Sequence, residues 1–157
     1  MITSTVAELV LEHPLLRGLP ADEVAPVAAC ARNVALRRGE MLMREGAPAD
    51  TFYLLRRGRV AIEVVSPGSG PVVIDTVGPG GCVGWSWLFP PYRWHFDARA
   101  LEPVGAVAVD GACLRSKAEA DSALGYALMT RVSALLLDRL QATRVRLLDL
   151  YGTGRGR

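Results

Sequence analysis

Residues 37–60 read RRGEMLMREGAPADTFYLLRRGRV and carry the pattern that decides the fold. Apolar and polar side chains alternate up to Arg44, the residues GAPAD form a turn, and a second strand-like run begins at Phe52. We expect that run to continue to Val65 as two strands joined in a tight hairpin at Gly58, because glycine adopts the positive φ that such a turn needs. Short strands separated by glycine turns predict a sandwich or jelly roll.

The strand pattern extends on both sides of this stretch. Alternation begins near Asn33, and after the loop SPGSGP (residues 66–71) the run VVIDTV (72–77) predicts another strand. The residues ALEPVGAVAVDG (100–111) predict one or two more. We therefore assign residues 33–116 to a β jelly roll.

Helical patterns precede and follow the strands. Thr3–Leu11 and Ala21–Arg32 read as two short helices, so residues 1–32 form an N-terminal helical lead-in. Residues 117–151 predict a short helix and a long helix of about thirty residues, or ~45 Å. Asp121 and Ser122 are N-cap candidates for the long helix. Residues 152–157 are expected to be a frayed tail.

The long helix carries an apolar stripe that predicts a homodimer. A single small domain cannot cover so long a helix, and pairing the stripe with its twofold copy would bury it. The interface candidates are Leu128, Val132, Leu135, Leu136, Leu140, Thr143 and Leu147.

The composition is that of a soluble globular protein. Half of the 157 residues are hydrophobic and 22% are charged, and the formal charge is only +2, so a strong electrostatic reason for nucleic-acid binding is missing. No run approaches the ~20 apolar residues of a membrane span. Cys30, Cys82 and Cys113 lack CxxC spacing, which favours free thiols in a reducing compartment over a disulfide or a zinc site. We expect a cytoplasmic protein, and the arginine- and alanine-rich composition hints at a GC-rich bacterial genome.

Residues 37–60 closely resemble the cyclic-nucleotide-binding domain of the catabolite-activator and anaerobic-regulator (Crp/Fnr-like) superfamily. The matching residues are Gly39, Glu40, Leu42, Gly46, Ala49, Asp50, Phe52, Tyr53, Leu54, Gly58 and Val60. HPLLRGLPADEV (13–24) resembles the family's lead-in, and LLLDRLQATRVRLLDL (135–150) resembles its dimerisation helix. The resemblance implies a mainly β fold: flanking helices, an eight-stranded double-sheet jelly roll and a long C-terminal helix that pairs two subunits.

The end of the sequence departs from the family's transcription regulators. Those members continue past the long helix into a helix-turn-helix that reads the DNA major groove. This sequence ends at YGTGRGR. We therefore expect a stand-alone sensory domain without specific DNA binding.

Residues 80–101, GGCVGWSWLFPPYRWHFDARAL, hold all three tryptophans and resemble the family's phosphate cassette. In nucleotide-binding members a glycine–glutamate pair holds the ribose hydroxyl and an arginine neutralises the cyclic phosphate. The resemblance places Gly84 on that glycine and Trp85 on that glutamate. Either Arg93 or Trp94 falls on the arginine, depending on a one-residue gap. An indole has one donor and no acceptor, so Trp85 cannot accept a ribose hydroxyl.

The aromatic side chains of the cassette leave two interpretations open. Trp85 and Trp87 share one strand parity, and Tyr92, Trp94 and Phe96 share the other. Each set would line a pocket for a planar or acyl ligand, or fill the pocket itself. Thr143 matches the position where a hydroxyl reads adenine in cyclic-AMP-binding members. The pocket candidates are Val83, Gly84, Trp85, Ser86, Trp87, Arg93, Trp94, His95 and Thr143.

These observations predict a homodimeric regulatory module for signal transduction, neither an enzyme nor a metal protein. Its pocket would not bind cyclic AMP in the usual way and would take another small molecule, and a separate effector protein would receive the signal. One alternative is a ligand-free interaction or scaffold domain that keeps the fold and the dimer. A second alternative is a genuine cyclic-nucleotide sensor that uses Arg93 and Thr143.

Overall fold

The computed structural model describes residues 3–152 and contains two four-stranded antiparallel sheets. The strand order is β1-β8-β3-β6 in the first sheet and β2-β7-β4-β5 in the second. The strands are β1 (Ala31–Leu36), β2 (Met41–Met43), β3 (Thr51–Arg57), β4 (Val60–Ser66), β5 (Gly70–Val77), β6 (Cys82–Val83), β7 (Asp97–Ala100) and β8 (Val104–Asp110). The double-sheet jelly roll predicted from the sequence is confirmed.

The predicted hairpin at Gly58 is wrong. β3 pairs with β6 and β8, whereas β4 pairs with β5 and β7, so the chain passes from one sheet to the other at this residue. Gly58 does have a positive φ of 81°. A Cβ there would lie 2.4 Å from the Pro103 carbonyl oxygen, so the glycine permits a close approach of two backbones. The hairpin in this region joins β4 to β5, with Ser66 paired to Gly70.

The helices are α1 (Val6–Glu12), α2 (Ala21–Ala29), α3 (Gly111–Ala120) and α4 (Ser122–Gly152). α2 ends before the predicted Arg32 because β1 begins at Ala31, where it pairs with β8. The side chain of Asp110 caps α3 by accepting from the Cys113 N–H, so this helix begins at Gly111. Asp121 caps α4 by accepting from the N–H groups of Ala123 and Leu124, as the sequence predicted.

α4 contains 31 residues and ends at Gly152. The other residues of the predicted tail, 153–157, lie outside the described part of the chain. None of the helices found between residues 3 and 152 is long and apolar enough to cross a membrane.

Two apolar cores hold the fold together. The helical core joins α1, α2, α3 and the first half of α4 to the first sheet, and the inter-sheet core lies between the two sheets. Leu128 and Val132, which were predicted to face a second subunit, are 4% and 1% exposed within the helical core. These two side chains are already buried within their own chain, so the dimer prediction depends on the residues that follow them in α4.

The prediction of free thiols is wrong for two of the three cysteines. Cys30 and Cys113 form a disulfide, and Cys82 is free and buried. Cys30 caps the end of α2 and Cys113 lies in the first turn of α3. The bonded residues are 83 positions apart, so their spacing gave no sign of the contact. The disulfide also removes the cysteine-based reason for expecting a reducing compartment.

Candidate functional site

A cavity of about 410 Å³ lies between the second sheet, the cassette (residues 80–101) and α4. It is lined by Met43, Ile62, Ile74, Asp75, Val77, Cys82, Val83, Gly84, Trp85, Ser86, Trp94, His95, Phe96, Arg139, Leu140 and Thr143. Most of this surface is apolar, and the volume is that of a small-molecule site.

Seven of the nine predicted pocket residues line this cavity. They are Val83, Gly84, Trp85, Ser86, Trp94, His95 and Thr143. Trp87 does not: it is 1% exposed in the helical core, where its ring centroid lies 5.5 Å from that of Phe52. Arg93 does not either: it is exposed, and its Nη1 donates to the Gly46 carbonyl oxygen at 2.9 Å.

The strand parity predicted for the tryptophans does not apply, because most of the cassette is not a strand. β6 ends at Val83, and Ser86–Leu88 forms a 3₁₀-helix. The turn of this helix directs the Trp87 side chain towards Phe52. The backbone carbonyl oxygen of Trp87 accepts a hydrogen bond from Arg115. Trp85 stays half-buried on the cavity side. Both indoles approach Phe52, with ring centroids 6.4 Å away for Trp85 and 5.5 Å for Trp87, but only Trp85 lines the cavity.

Trp94 forms the wall of the cavity beside the cassette glycine. Its side chain is 5% exposed, and its backbone N–H donates to the Ala47 carbonyl oxygen at 3.0 Å. Gly84 has a φ of 93°, and a Cβ on it would lie 2.7 Å from Cη2 of Trp94. The indole thus packs directly on Gly84, and only a glycine leaves room for it.

The aromatic residues line the cavity without filling it. Trp85 is half-buried and Phe96 is 41% exposed, while Trp94 belongs to the inter-sheet core. About 410 Å³ remains between them and α4.

Asp75 and Arg139 bring charge to the α4 side of the cavity. Arg139 Nη1 donates to Asp75 Oδ2, and Arg146 Nη2 donates to Asp75 Oδ1 at 2.9 Å. The guanidinium carbon of Arg139 also lies 5.6 Å from the ring centroid of Trp85, within cation–π range. Neither charged residue was predicted from the sequence. Arg139 precedes Thr143 by four positions, so helical spacing would have placed it on the same face.

The protonation of these groups follows from burial and neighbouring charge. Burial favours the neutral form of Asp75, but the hydrogen bond from Arg146 and the charge of Arg139 prevail and lower its pKa below the usual value. Burial raises the pKa of the Cys82 thiol to about 12, with Arg139 opposing the shift. Cys82 is therefore a neutral apolar wall residue at physiological pH, not a nucleophile.

A second, more open cavity of about 390 Å³ lies beside the α1–α2 turn and includes His13. His13 is 3% exposed, and its Nδ1 accepts from the Leu15 N–H at 3.2 Å. Burial lowers its pKa, which keeps the ring neutral. Within residues 3–152, no group of three or more His, Cys, Asp or Glu side chains is placed to hold a metal ion.

The comparison with protein families agrees with this architecture. The model of the cyclic nucleotide-binding domain matches residues 33–121, more than half of the chain. The chain belongs to the cyclic-nucleotide-binding-domain family. The match spans the strands, the cassette and α3, and α4 follows it.

Known relatives of this cyclic-nucleotide-binding domain include regulators. The CRP-like cAMP-activated global transcriptional regulator of Mycobacterium tuberculosis is 25% identical over 146 residues, which are 93% of this chain and 63% of the relative. The chain thus spans less than two thirds of that protein.

Two solved structures extend the similarity. A Geobacter metallireducens protein named for cyclic nucleotide binding superposes with a TM-score of 0.77 at 31% identity, covering 89% of this chain and 99% of the other. The N-terminal domain of a Streptomyces coelicolor transcriptional regulator gives 0.67 at 27% identity, covering 85% and 94%.

Proposed function

We propose that this domain is a regulatory, non-catalytic module whose cavity binds an apolar small molecule in place of a cyclic nucleotide. The observation that carries the proposal is the Trp94 indole packed on Gly84, with Trp85 next to it. The wall of the cavity next to the glycine is therefore aromatic.

A cyclic nucleotide would find few partners in this cassette. Its phosphate is an anion that needs a cation or several donors once it leaves water, and an unpaired buried charge costs several kcal/mol. Arg93 is outside the cavity and already donates to Gly46, and the arginine that does line the cavity, Arg139, lies on α4 and not in the cassette. Neither Trp85 nor Trp94 can replace the missing carboxylate and guanidinium, because an indole offers a single N–H donor.

An apolar ligand, in contrast, would bury its surface against side chains already arranged around a vacant volume. Ile62, Val77 and Trp94 supply walls that need no hydrogen-bond partner. Burial of apolar area contributes roughly 25 cal/mol per Å². The vacant volume also favours a ligand over the ligand-free scaffold, because a domain kept only for its fold would gain stability by filling such a space.

The proposal is tested by calorimetry and thermal shift on the full chain. We expect no binding of cyclic AMP or cyclic GMP at about 1 mM, and stabilisation by some members of a panel of aromatic and acyl compounds. The variant W85E, which supplies an acceptor for the ribose hydroxyl, should gain affinity for cyclic AMP. Micromolar binding of cyclic AMP by the unmodified protein would favour the sensor alternative, and no stabilisation by any compound would favour the scaffold.

We propose further that the domain pairs through the second half of α4. Every residue from Gln141 to Gly152 is exposed. The exposed apolar side chains of Leu140, Leu147 and Tyr151 lie along one side of the helix. An exposed apolar strip of this length is typical of a helix that packs on another copy. Leu135 and Leu136 are half-buried and lead into it.

Leu140 and Thr143 give this pairing a connection to the ligand. Both were predicted to face a partner, and both line the cavity. A ligand that contacts them would favour one position of α4 over another and shift the dimer between two arrangements. We infer that a separate effector protein reads this shift. We also place the domain in the cytoplasm, because the related Mycobacterium tuberculosis protein is a transcriptional regulator.

A further inference from the structure

The ion-pair cluster on the α4 side of the cavity carries an excess of positive charge. Asp75 is paired with two arginines, Arg139 and Arg146, so this cluster carries one net positive charge. Of the three side chains, Asp75 and Arg139 line the cavity and Arg146 does not. Among the described residues that line the cavity, Arg139 alone carries a permanent positive charge. It stands across from an otherwise largely apolar surface.

Arg139 has donors left for a ligand. A guanidinium has five N–H donors in a fixed planar fork, and the hydrogen bond described for the Arg139 side chain uses Nη1. Asp75 would keep its hydrogen bond from Arg146 if Arg139 were shared with a second anion. The Arg139 side chain is 28% exposed, so its charge is partly removed from water and its interactions are only partly screened.

We propose that the ligand is an aromatic or acyl carboxylic acid, whose carboxylate pairs with Arg139 while its apolar part lies against Trp85 and Trp94. This inference rests on the proposed function and specifies the ligand class of the same cavity. A carboxylate fits the planar guanidinium in two parallel hydrogen bonds, and it neutralises the excess charge of the cluster. Because Arg139 lies on α4, the bound acid would hold the helix directly.

The experiment is calorimetry with matched acids and amides: phenylacetate, indole-3-acetate and 4-phenylbutyrate, each against its primary amide. The paired compounds have the same size and shape and differ in charge. We expect at least one acid to bind about tenfold or more tightly than its amide, the ratio that a charge-assisted hydrogen bond typically contributes. Added salt should weaken the acid more than the amide.

The variants R139Q and R146Q locate the effect. R139Q should reduce the acid-to-amide ratio to about one, whereas R146Q should retain part of the preference, because it removes the same charge from the cluster but leaves the guanidinium that lines the cavity. Both variants remove an arginine from Asp75, so R146Q is the matched control for the lost ion pair. The ratio compares two ligands on the same protein, so a partial loss of folded protein cancels. If R139Q does not fold, R139K should fold and retain part of the preference.

The outcomes separate this inference from the proposed function. Equal binding of acids and amides overturns the ligand class but leaves an apolar-ligand site. A preference that persists unchanged in R139Q overturns the role of Arg139. If no acid or amide binds, the proposed function fails together with the inference.

Discussion

The Trp94 indole packs directly on Gly84, so a side chain at position 84 would collide with it. Gly84 has a positive φ and lies under the indole, so alanine there would meet both backbone strain and a clash. We predict that G84A lowers the free energy of unfolding by about 1–3 kcal/mol more than G39A does. Gly39 is the matched control, because its φ is 88° and a Cβ on it meets nothing within 4 Å. Urea unfolding measures both; equal losses would show that Trp94 does not pack on Gly84.

His13 gives the protein a pH-dependent stability. Burial lowers its pKa from 6.5 and the charge of Arg17 lowers it further, while the carbonyl groups of Gly81 and Leu55 oppose the shift. Below about pH 6.5 the unfolded chain therefore binds a proton more readily than the folded one, and stability falls as the pH is lowered towards the folded-state pKa. H13N should flatten this slope, because asparagine keeps an acceptor for the Leu15 N–H and does not titrate.

The other histidine of the chain supplies the control for that measurement. His95 is exposed at the cavity rim, so H95N is the same exchange at a surface position. Denaturant unfolding between pH 5 and 8 distinguishes the variants. An unchanged slope in H13N would contradict the assignment to His13.

The positions of some single side chains could be predicted from the sequence, and those of others could not. The sequence predicted Trp85 as a pocket residue, and Trp85 does line the cavity. The direction of Trp87 was not visible, because a 3₁₀-helix of three residues changes the direction of the side chains without changing the residue types. Asp75 and Arg139 are 64 positions apart, so no local pattern could pair them.

Among the elements, α4 has two halves with different surroundings. Its first half enters the helical core through Leu124, Leu128 and Val132, and its second half is exposed. The apolar residues have the same helical spacing in both halves of α4. This spacing indicates which side of a helix is apolar but not what packs against that side. The position and length of the helix were predictable for the same reason. Its division between core and surface was not.

α2 and α3 are joined by the disulfide of Cys30 and Cys113. A cross-link that closes a loop of this length restricts the unfolded chain, and we predict that C30S/C113S lowers the free energy of unfolding by about 2–4 kcal/mol. Reductant should produce a similar loss in the unmodified protein and no loss in the variant. Thiol titration under denaturing, non-reducing conditions should find one reactive cysteine, Cys82. Three reactive thiols would contradict the bond.

At the scale of the whole molecule, the family resemblance predicted the two sheets and the terminal helices well. Residues that match the family are mostly turn glycines and inward-facing apolar side chains, and these determine where strands begin and end. The sheet to which each strand belongs was harder to predict, because the alternation of apolar and polar residues is the same whichever neighbouring strand it pairs with. β3 and β4 illustrate this, because they are consecutive in sequence but belong to opposite sheets.

The oligomeric state belongs to this scale. We predict a dimer at micromolar concentration by analytical ultracentrifugation, and a shift to monomer in L147D. V145D is the matched control: Val145 is 57% exposed and Leu147 48%, but two residues along a helix Val145 lies on nearly the opposite side. If the dimer persists in L147D but not in V145D, the interface lies on the opposite side of α4. If the unmodified protein is a monomer, the dimer prediction is wrong.

The three tryptophans have different surroundings, so their intrinsic fluorescence can report on different parts of the protein. Trp87 is enclosed in the helical core, Trp94 forms part of the inter-sheet core, and Trp85 borders the cavity beneath Arg139. Replacing two of the three by phenylalanine leaves one emitter in a known environment. The Trp85-only protein would register ligand entry through its fluorescence, while the Trp87-only protein would respond to unfolding. Binding and stability could then be followed in separate variants without an added dye.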